Sequence, residues 1–217
     1  MYRHMIDHII FDWDGTLAKT LHLWLAGYRI GLESQQHTFP DSIIARDFFY
    51  DHDEGQKKYP DIKFNQLFEA AHSHVHTNLS DLELYPNVTE TLLKLKEKGI
   101  LLSLVSSSPR RLLEAGLNVH NLDTYFTSIV AGDDVMKRKP DPESFLQTLH
   151  MIDALPEKTL IIGDAKSDIT AGKTAGTQTC IFMPRENTLF YNFDTLKQSD
   201  ADFQITKLSE LINTLSI

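Results

Sequence analysis

The sequence predicts an α/β fold: a parallel sheet with helices on both faces, interrupted by an inserted α-helical domain. Three observations predict it. From residue 85 onward, short apolar runs without polar alternation are closed by turn formers and alternate with stretches of helical periodicity, the pattern of parallel strands buried on both faces. A similar run, Ile9-Ile10-Phe11, stands near the amino end and breaks at once in Asp12-Trp13-Asp14-Gly15-Thr16. Between the two lie residues 18–84, where apolar residues recur at helical spacing and no convincing alternating strand is found.

The 217 residues suit one α/β domain with an insertion and can bury a substantial core. Residues 1–17 and 85–217 are read as the sheet-bearing core, and residues 18–84 as the helical insert. Hydrophobic content of 41% and charged content of 24% are those of a soluble globular protein. No stretch has the length needed to span a membrane, and no Lys/Arg-led apolar leader is found, so a cytoplasmic protein without a membrane partner is expected. Cys180 is the only cysteine, which excludes an intrachain disulfide and a cysteine metal cluster. It lies in an apolar run and reads as a buried small hydrophobe. A formal charge of −9 argues against nucleic acid as the partner. It leaves room for a small anion, because one bound cation and a few lysines can dominate a local field.

In chain order, residues 1–7 read as a lead-in to the first strand. Leu21, Leu23, Trp24, Leu25, Tyr28 and Ile30 mark a first helix of the insert, and Ile43, Ile44, Phe48 and Phe49 a second beyond Pro40. A third runs from Lys63 through Leu67, Phe68, Ala71 and Val75, and the charged stretch Tyr50 to Pro60 with Gly55 reads as a loop. Asn87 and Glu90 resemble a capping box before Leu92, Leu93 and Leu95, and Gly99 stands as a helix stop. Ile100–Val105 is a second strand and Ser106-Ser107-Ser108-Pro109 its exit turn, with Ser108 as cap and Pro109 as first residue of the next helix. Ser128–Ala131, Leu160–Ile162, Thr179–Met183 and Phe203–Ile205 complete the strands. Helices open at Asp141-Pro142, run from Ile169 to about Ala175 before Gly176, and close the chain from Leu208 to Leu215.

The strand ends carry the chemistry. Asp-x-Asp-Gly-Thr after an apolar run arises by chance on the order of once in 10⁵ positions. In open α/β sheets ligands bind outside the carboxyl ends of the strands, at a switch in strand order. There the first strand delivers Asp12 and Asp14, the second Ser106, the loop beyond the third Lys139, and the fourth Asp164 and Asp168. Carboxylates converging on one edge repel unless a cation sits among them, and an all-oxygen ligand set favours Mg²⁺. Ser106 and Lys139 are donors suited to phosphate oxygens. Together these groups make a phosphoryl-transfer site. Ser107 or Ser108 could exchange roles with Ser106, and Lys137 or Arg138 with Lys139. Asp168 could simply cap the helix that follows it.

The set FDWDGTL, LVSSSP, KRKPDP and IIGDAKSD resembles the four signature motifs of the haloacid dehalogenase superfamily, in order and over essentially the whole chain. Within it, the position of the insert is similar to the cap of the subgroup containing phosphoglycolate phosphatase and β-phosphoglucomutase. The resemblance implies a Rossmann-like core and a helical cap that gates entry, with hinges at residues 17–20 and 84–86. It implies that Asp12 is the nucleophile and a metal ligand. Asp14 would be the general acid and then the base, with its backbone carbonyl on the metal. Ser106 and Lys139 would hold the transferring phosphoryl group, Asp164 would bind Mg²⁺, and Asp168 would bind it through water or hold Lys139. Thr16, Ser107, Lys19 and Arg29 are counted as substrate-binding positions.

The sequence departs from the subgroup at Lys19 and Thr20, where an Asp and a Ser are common. Lys19, with Arg29 or Arg46, is therefore expected to read a distal anion of the substrate. His72, His74 and His76 invite a metal reading, but only His72 and His76 share a helix face, and they are read as exposed. The expected activity is a Mg²⁺-dependent phosphatase acting on a small phosphorylated metabolite, phosphoglycolate-like first, through an aspartyl phosphate, by a monomer or homodimer. A phosphosugar mutase or a non-catalytic phosphate-binding regulator is the alternative. Dehalogenation and phosphonate cleavage are disfavoured by Asp14.

Overall fold

The computed structural model describes residues 6–49 and 52–214, the side chains of residues 52–54 excepted. Residues 1–5 of the expected lead-in, Tyr50 and Asp51 of the expected loop, and Leu215 at the end of the last helix lie outside the described residues.

Strands β1 (His8–Phe11), β2 (Leu101–Val105), β3 (Ser128–Val130), β4 (Thr159–Gly163), β5 (Gln178–Phe182) and β6 (Phe203–Ile205) form one sheet in the order β3-β2-β1-β4-β5-β6. Every pairing is parallel. The order reverses at β1, which pairs with β2 on one side and β4 on the other. Phe11 lies beside Leu104 and Ile162, so Asp12, Ser106 and Asp164 leave the sheet at the same edge.

Successive β1 side chains point to opposite faces. Ile9 and Phe11 join a large cluster with Leu104, Ile162 and Phe182, while Ile10 packs with Val105, Phe145 and Ile161 on the other. Four helices cover the faces: α5 (Val88–Glu97), α6 (Arg110–Val119), α7 (Glu143–Met151) and α8 (Lys166–Thr174), numbered after the four of the insert; α9 (Phe193–Lys197) and α10 (Glu210–Thr214) follow β5 and β6. Cys180 is fully buried in the larger cluster.

Inside the sheet, one polar chain links four strands. Ser128 donates to Ser103 at 2.8 Å, and His8 meets Ser103 at 2.9 Å and Thr159 at 3.2 Å. Thr159 in turn donates to the Leu155 carbonyl at 2.9 Å, so Nδ1 of His8 must carry the proton and Nε2 accept from Ser103. Burial lowers the His8 pKa to about 4 despite the opposing charge of Asp7.

The insert contains α1 (Leu21–Glu33), α2 (Asp41–Phe48), α3 (His52–Lys58) and α4 (Phe64–Thr77). It has its own apolar cluster, built from Leu25, Tyr28, Leu32, Phe48, Phe64 and Leu67 among others, which also takes Phe190 from beyond β5. The two connections to the sheet run side by side: Lys19 donates its N–H to the Glu83 carbonyl at 2.9 Å, and Tyr85 donates to that of Leu17 at 3.0 Å.

Several local expectations are corrected. Residues 52–58 are helical where a loop was expected, since Gly55 is tolerated in a helix interior at a cost of about 1 kcal/mol. Asn87 adopts a left-handed conformation (φ 66°), and its side chain donates to Glu90 at 3.3 Å without capping a backbone N–H. Ser108 does not cap α6, which starts at Arg110 with Pro109 as the flanking residue; its hydroxyl is drawn to Asp14. The Asp141-Pro142 helix start is present, with Asp141 accepting from the Glu143 N–H at 3.1 Å. Among the described residues no helix is long and apolar enough to cross a membrane.

Candidate active site

The end of β1 sets the site. Trp13 is buried against Gly116 of α6, and Asp12 and Asp14 therefore turn away from the core on either side of it. Gly15 then reverses the chain with φ +77°, and a Cβ there would stand 1.9 Å from Asp164 Oδ2. Only glycine serves, because the turn needs a positive φ and the second carboxylate needs the space. Gly163 plays the matching part at the end of β4, where a Cβ would meet Asp168 Cγ at 2.2 Å.

Asp12, Asp164 and Asp168 are all buried, and each offers a carboxylate oxygen within 4.8 Å of the others. Lys139 reaches in from the loop after β3, donating to Asp12 at 2.8 Å and Asp168 at 2.7 Å, with its side chain 5% exposed. Asp168 also accepts from the Ala165 N–H at 3.1 Å. The helix expected from Ile169, with Asp168 before it as cap, starts instead at Lys166; Asp168 lies in its first turn, where its carboxylate bonds back to the flanking residue and takes Lys139 as well.

Burial raises the Asp12 carboxyl to about 7, with Lys139 opposing and Asp168 and Asp14 adding to the rise. Asp164 is pushed well above the usual carboxylate range, by burial first and then by Asp12 and Asp168. Burial works against the Lys139 ammonium, but the charges of Asp12 and Asp168 outweigh it and raise Lys139 overall. One ammonium faces three buried carboxylates, an excess of negative charge in a dry, all-oxygen setting. That donor set fits a hard divalent cation.

Asp14 is held from two sides. Thr20 at 2.6 Å and Trp24 Nε1 at 2.8 Å donate to Oδ1; Ser106 at 3.1 Å and Ser108 at 2.7 Å donate to Oδ2. Ser106 also accepts the Ser108 N–H at 3.0 Å. Thr16 is buried and bonds Asp164 at 3.5 Å. Asn187, in the turn after β5, donates to Asp164 at 3.1 Å and to the Gly15 carbonyl at 2.9 Å, and it accepts from the Tyr85 hydroxyl.

A cavity of about 410 Å³ opens over these groups, lined at the sheet edge by Asp12, Asp14, Ser107, Arg138, Lys139 and Asp164. The structure does not bring Lys19, Arg29 or Arg46 to it. Lys19 pairs with Glu83, Arg29 with Asp41 and Arg46 with Asp47, because each lies beside an acid closer than the cavity. His72, though exposed, lines the cavity and packs edge-on against Trp24 at 5.6 Å. Trp24, Asn187 and Tyr191 are the participants that sequence reasoning missed, while Ser108, open there as an alternative to Ser106, joins it on Asp14. Trp24 was visible but read as helix face; Asn187 and Tyr191 carried no local signal.

The haloacid dehalogenase-like hydrolase profile matches residues 9–182. The chain belongs to that family. This hydrolase is 31% identical over 217 residues to the pyrophosphatase PpaX of Bacillus cereus (strain Q1), covering 97% of each chain. It is 31% identical over 223 residues to PpaX of Anoxybacillus flavithermus, covering 98% of each. Among solved structures it resembles a provisionally named β-phosphoglucomutase from Thermotoga maritima, with 28% identity, TM-score 0.76 and coverage of 97% and 99%. It shares its fold with a provisionally named phosphoglycolate phosphatase from Haemophilus somnus, with TM-score 0.82 at 23% identity and coverage of 97% and 98%. The profile ends at Phe182, so Asn187, Phe190 and Tyr191 of this hydrolase lie beyond the matched residues.

Proposed function

We propose that this hydrolase is a Mg²⁺-dependent phosphatase that cleaves a phosphomonoester through an aspartyl phosphate on Asp12. The observation that carries the reading is Lys139 bridging Asp12 and Asp168 beside Asp164 at the sheet's carboxyl edge. Asp12, Asp164 and Asp168 would hold the cation, which when bound would neutralise charge on the phosphoryl group and on the carboxylates.

Asp12 attacks phosphorus, forming the acyl phosphate as the ester P–O bond breaks, and Asp14 gives its proton to the departing alkoxide. Asp14 then takes a proton from the water that attacks phosphorus, releasing phosphate and restoring Asp12. Lys139 keeps Asp12 aimed and offsets charge that builds on the equatorial oxygens, an effect strengthened where water is excluded. Ser106 and Ser107 lie at the β2 end where they can donate to that group. Thr20 and Trp24 hold Asp14 from the insert, so the acid is in place when the insert packs on the sheet. Residues 18–84 act as a cap, with the paired connections 17–20 and 84–86 as hinges. The protein is read as cytoplasmic.

A phosphoglycolate-like substrate was expected from the resemblance to phosphoglycolate phosphatase; the separate expectation that Lys19 reads its distal anion loses support from the Lys19–Glu83 pair. Pyrophosphate, which the PpaX name suggests, is tested alongside. Asp12→Asn is expected to lower kcat/KM by about a thousandfold or more, and chelation to abolish turnover in the wild type. Acid-quenched wild type should carry hydroxylamine-labile phosphate. Turnover that survives in Asp12→Asn, or transfer of the phosphate only to a phosphosugar, would replace this reading.

A further inference from the structure

The part of the cavity wall that the insert supplies is made mainly of rings. Trp24 and Tyr28 from α1, Phe49 after α2 and Phe68 from α4 line it with Leu21 and His72, joined by Tyr191 from beyond β5; burial and the nearby Arg138 lower the His72 pKa and disfavour its cation. Tyr28 lies 5.1 Å from Phe49 and 6.4 Å from Phe68 between ring centroids, and Phe49 leans on Phe190 at 5.4 Å. The insert contributes no lysine or arginine to the described lining; Lys19, Arg29 and Arg46 are each paired outside it. Arg138, which donates to the Gly132 carbonyl at 3.0 Å, belongs to the loop that carries Lys139. A leaving group with an anion of its own would be pressed against rings, losing hydration without gaining a counterion from the insert. A flat apolar group would gain ring contacts there. The volume of about 410 Å³ lies in the range of small-molecule sites and suits a whole organic leaving group.

We infer that the substrate is a phosphomonoester whose alcohol carries an uncharged planar ring, seated among Trp24, Tyr28, Phe49 and Phe68 while its phosphate meets Asp12. This rests on the phosphatase reading above. Nothing in the reacting centre asks for a ring; the insert does. The ring sets KM and substrate choice, while the sheet edge performs the chemistry.

The test compares a nucleoside 5′-monophosphate and flavin mononucleotide with ribose 5-phosphate. All three release the same kind of primary alkoxide, so leaving-group ability is held constant and only the distal group differs. Pyrophosphate and phosphoglycolate complete the panel. The expected kcat/KM is at least tenfold higher for the ring-bearing esters than for ribose 5-phosphate. Phe68→Ala should reduce that ratio by roughly ten- to a hundredfold, the range for losing one ring stack. Phe68→Leu, which keeps apolar volume and guards against a misfolded variant, should reduce it too, and chiefly through KM. Equal rates for ribose 5-phosphate and the ring-bearing esters, a preference for pyrophosphate or phosphoglycolate, or a ratio untouched in Phe68→Leu would overturn the inference and leave the phosphatase standing. No metal-dependent hydrolysis of any of these, with wild type and Asp12→Asn alike, would overturn the phosphatase reading as well.

Discussion

Asp14 takes its hydrogen bonds from two parts of the chain that are far apart in sequence, Thr20 and Trp24 on the insert and Ser106 and Ser108 at the end of β2. An indole is a donor only, so Trp24 can hold the carboxylate but cannot exchange a proton with it. In the proposed mechanism Trp24 is thus a positioning residue for the acid. Replacing it by Phe keeps the ring and removes the N–H. Trp24→Phe is expected to lower kcat on ribose 5-phosphate by about tenfold, the value of one hydrogen bond to a charged group, while KM moves by less than about twofold. A matching loss in KM, measured by steady-state kinetics, would assign Trp24 to binding alone. The donor role of Trp24 could not be read locally. Its spacing with Leu21, Leu25 and Tyr28 is that of a helix face, and only the packing of α1 on the sheet edge turns Nε1 towards Asp14.

At the scale of the elements, β1 opens on His8 and leads at its other end into Asp12. The chain from Ser128 through Ser103 and His8 to Thr159 runs in one direction only with neutral imidazole. Protonation would place two donors where Ser103 needs an acceptor. The folded pKa of about 4 lies below the unfolded 6.5, so between these values the unfolded chain binds the extra proton. The contribution of His8 to stability is therefore full above pH 6.5 and falls as pH drops towards 4, by about 3 kcal/mol in all. Asp12 and Asp164, raised in the fold, act in the opposite sense over the same range, so the His8 share is read as the difference between wild type and His8→Asn in urea unfolding at pH 7 and pH 4.5. An unchanged slope in the variant would place the acid sensitivity elsewhere. The six strands were legible to within about two residues; the central ones read as apolar runs because a central parallel strand has no solvent face, while β6 at the edge alternates, with Gln204 exposed between Phe203 and Ile205. Helix starts were less so: Ser108 and Asn87 are good caps in isolation, but the first is drawn by Asp14 and the second by the left-handed turn it must make.

At the scale of the whole molecule, the insert's apolar cluster is joined to those of the sheet by the paired connections and by the segment after β5. That segment sends Phe190 into the insert's cluster, Tyr191 to the cavity and Asn187 to Asp164, tying the insert to the acidic site. Three buried carboxylates against one lysine leave the folded state with unbalanced charge, which a bound cation would relieve. Mg²⁺ at about a hundred times its dissociation constant is expected to stabilise the protein by about 2.7 kcal/mol, seen as a higher thermal midpoint that chelator reverses. Asp164→Asn should lose that response. A midpoint indifferent to Mg²⁺ in the wild type would count against the acidic cluster as a metal site.

The amino-acid sequence by itself determined the sheet, the place of the insert, and the convergence of Asp12, Asp14, Ser106, Lys139, Asp164 and Asp168 on one edge. Strand ends are local signals: parallel pairing about β1 brings Asp12, Ser106 and Asp164 to one edge, and the loop after β3 and the first turn of α8 add Lys139 and Asp168. Tertiary structure alone decided which cations reach the cavity and which residues support its acids. Lys19 lies near the site in sequence yet pairs with Glu83, and Asn187 lies far from Asp12 yet bonds Asp164. A long charged side chain goes to the nearest available counterion, and a buried carboxylate takes whatever donor the fold delivers. Both are properties of the packed chain, and neither leaves a pattern at fixed spacing in the sequence.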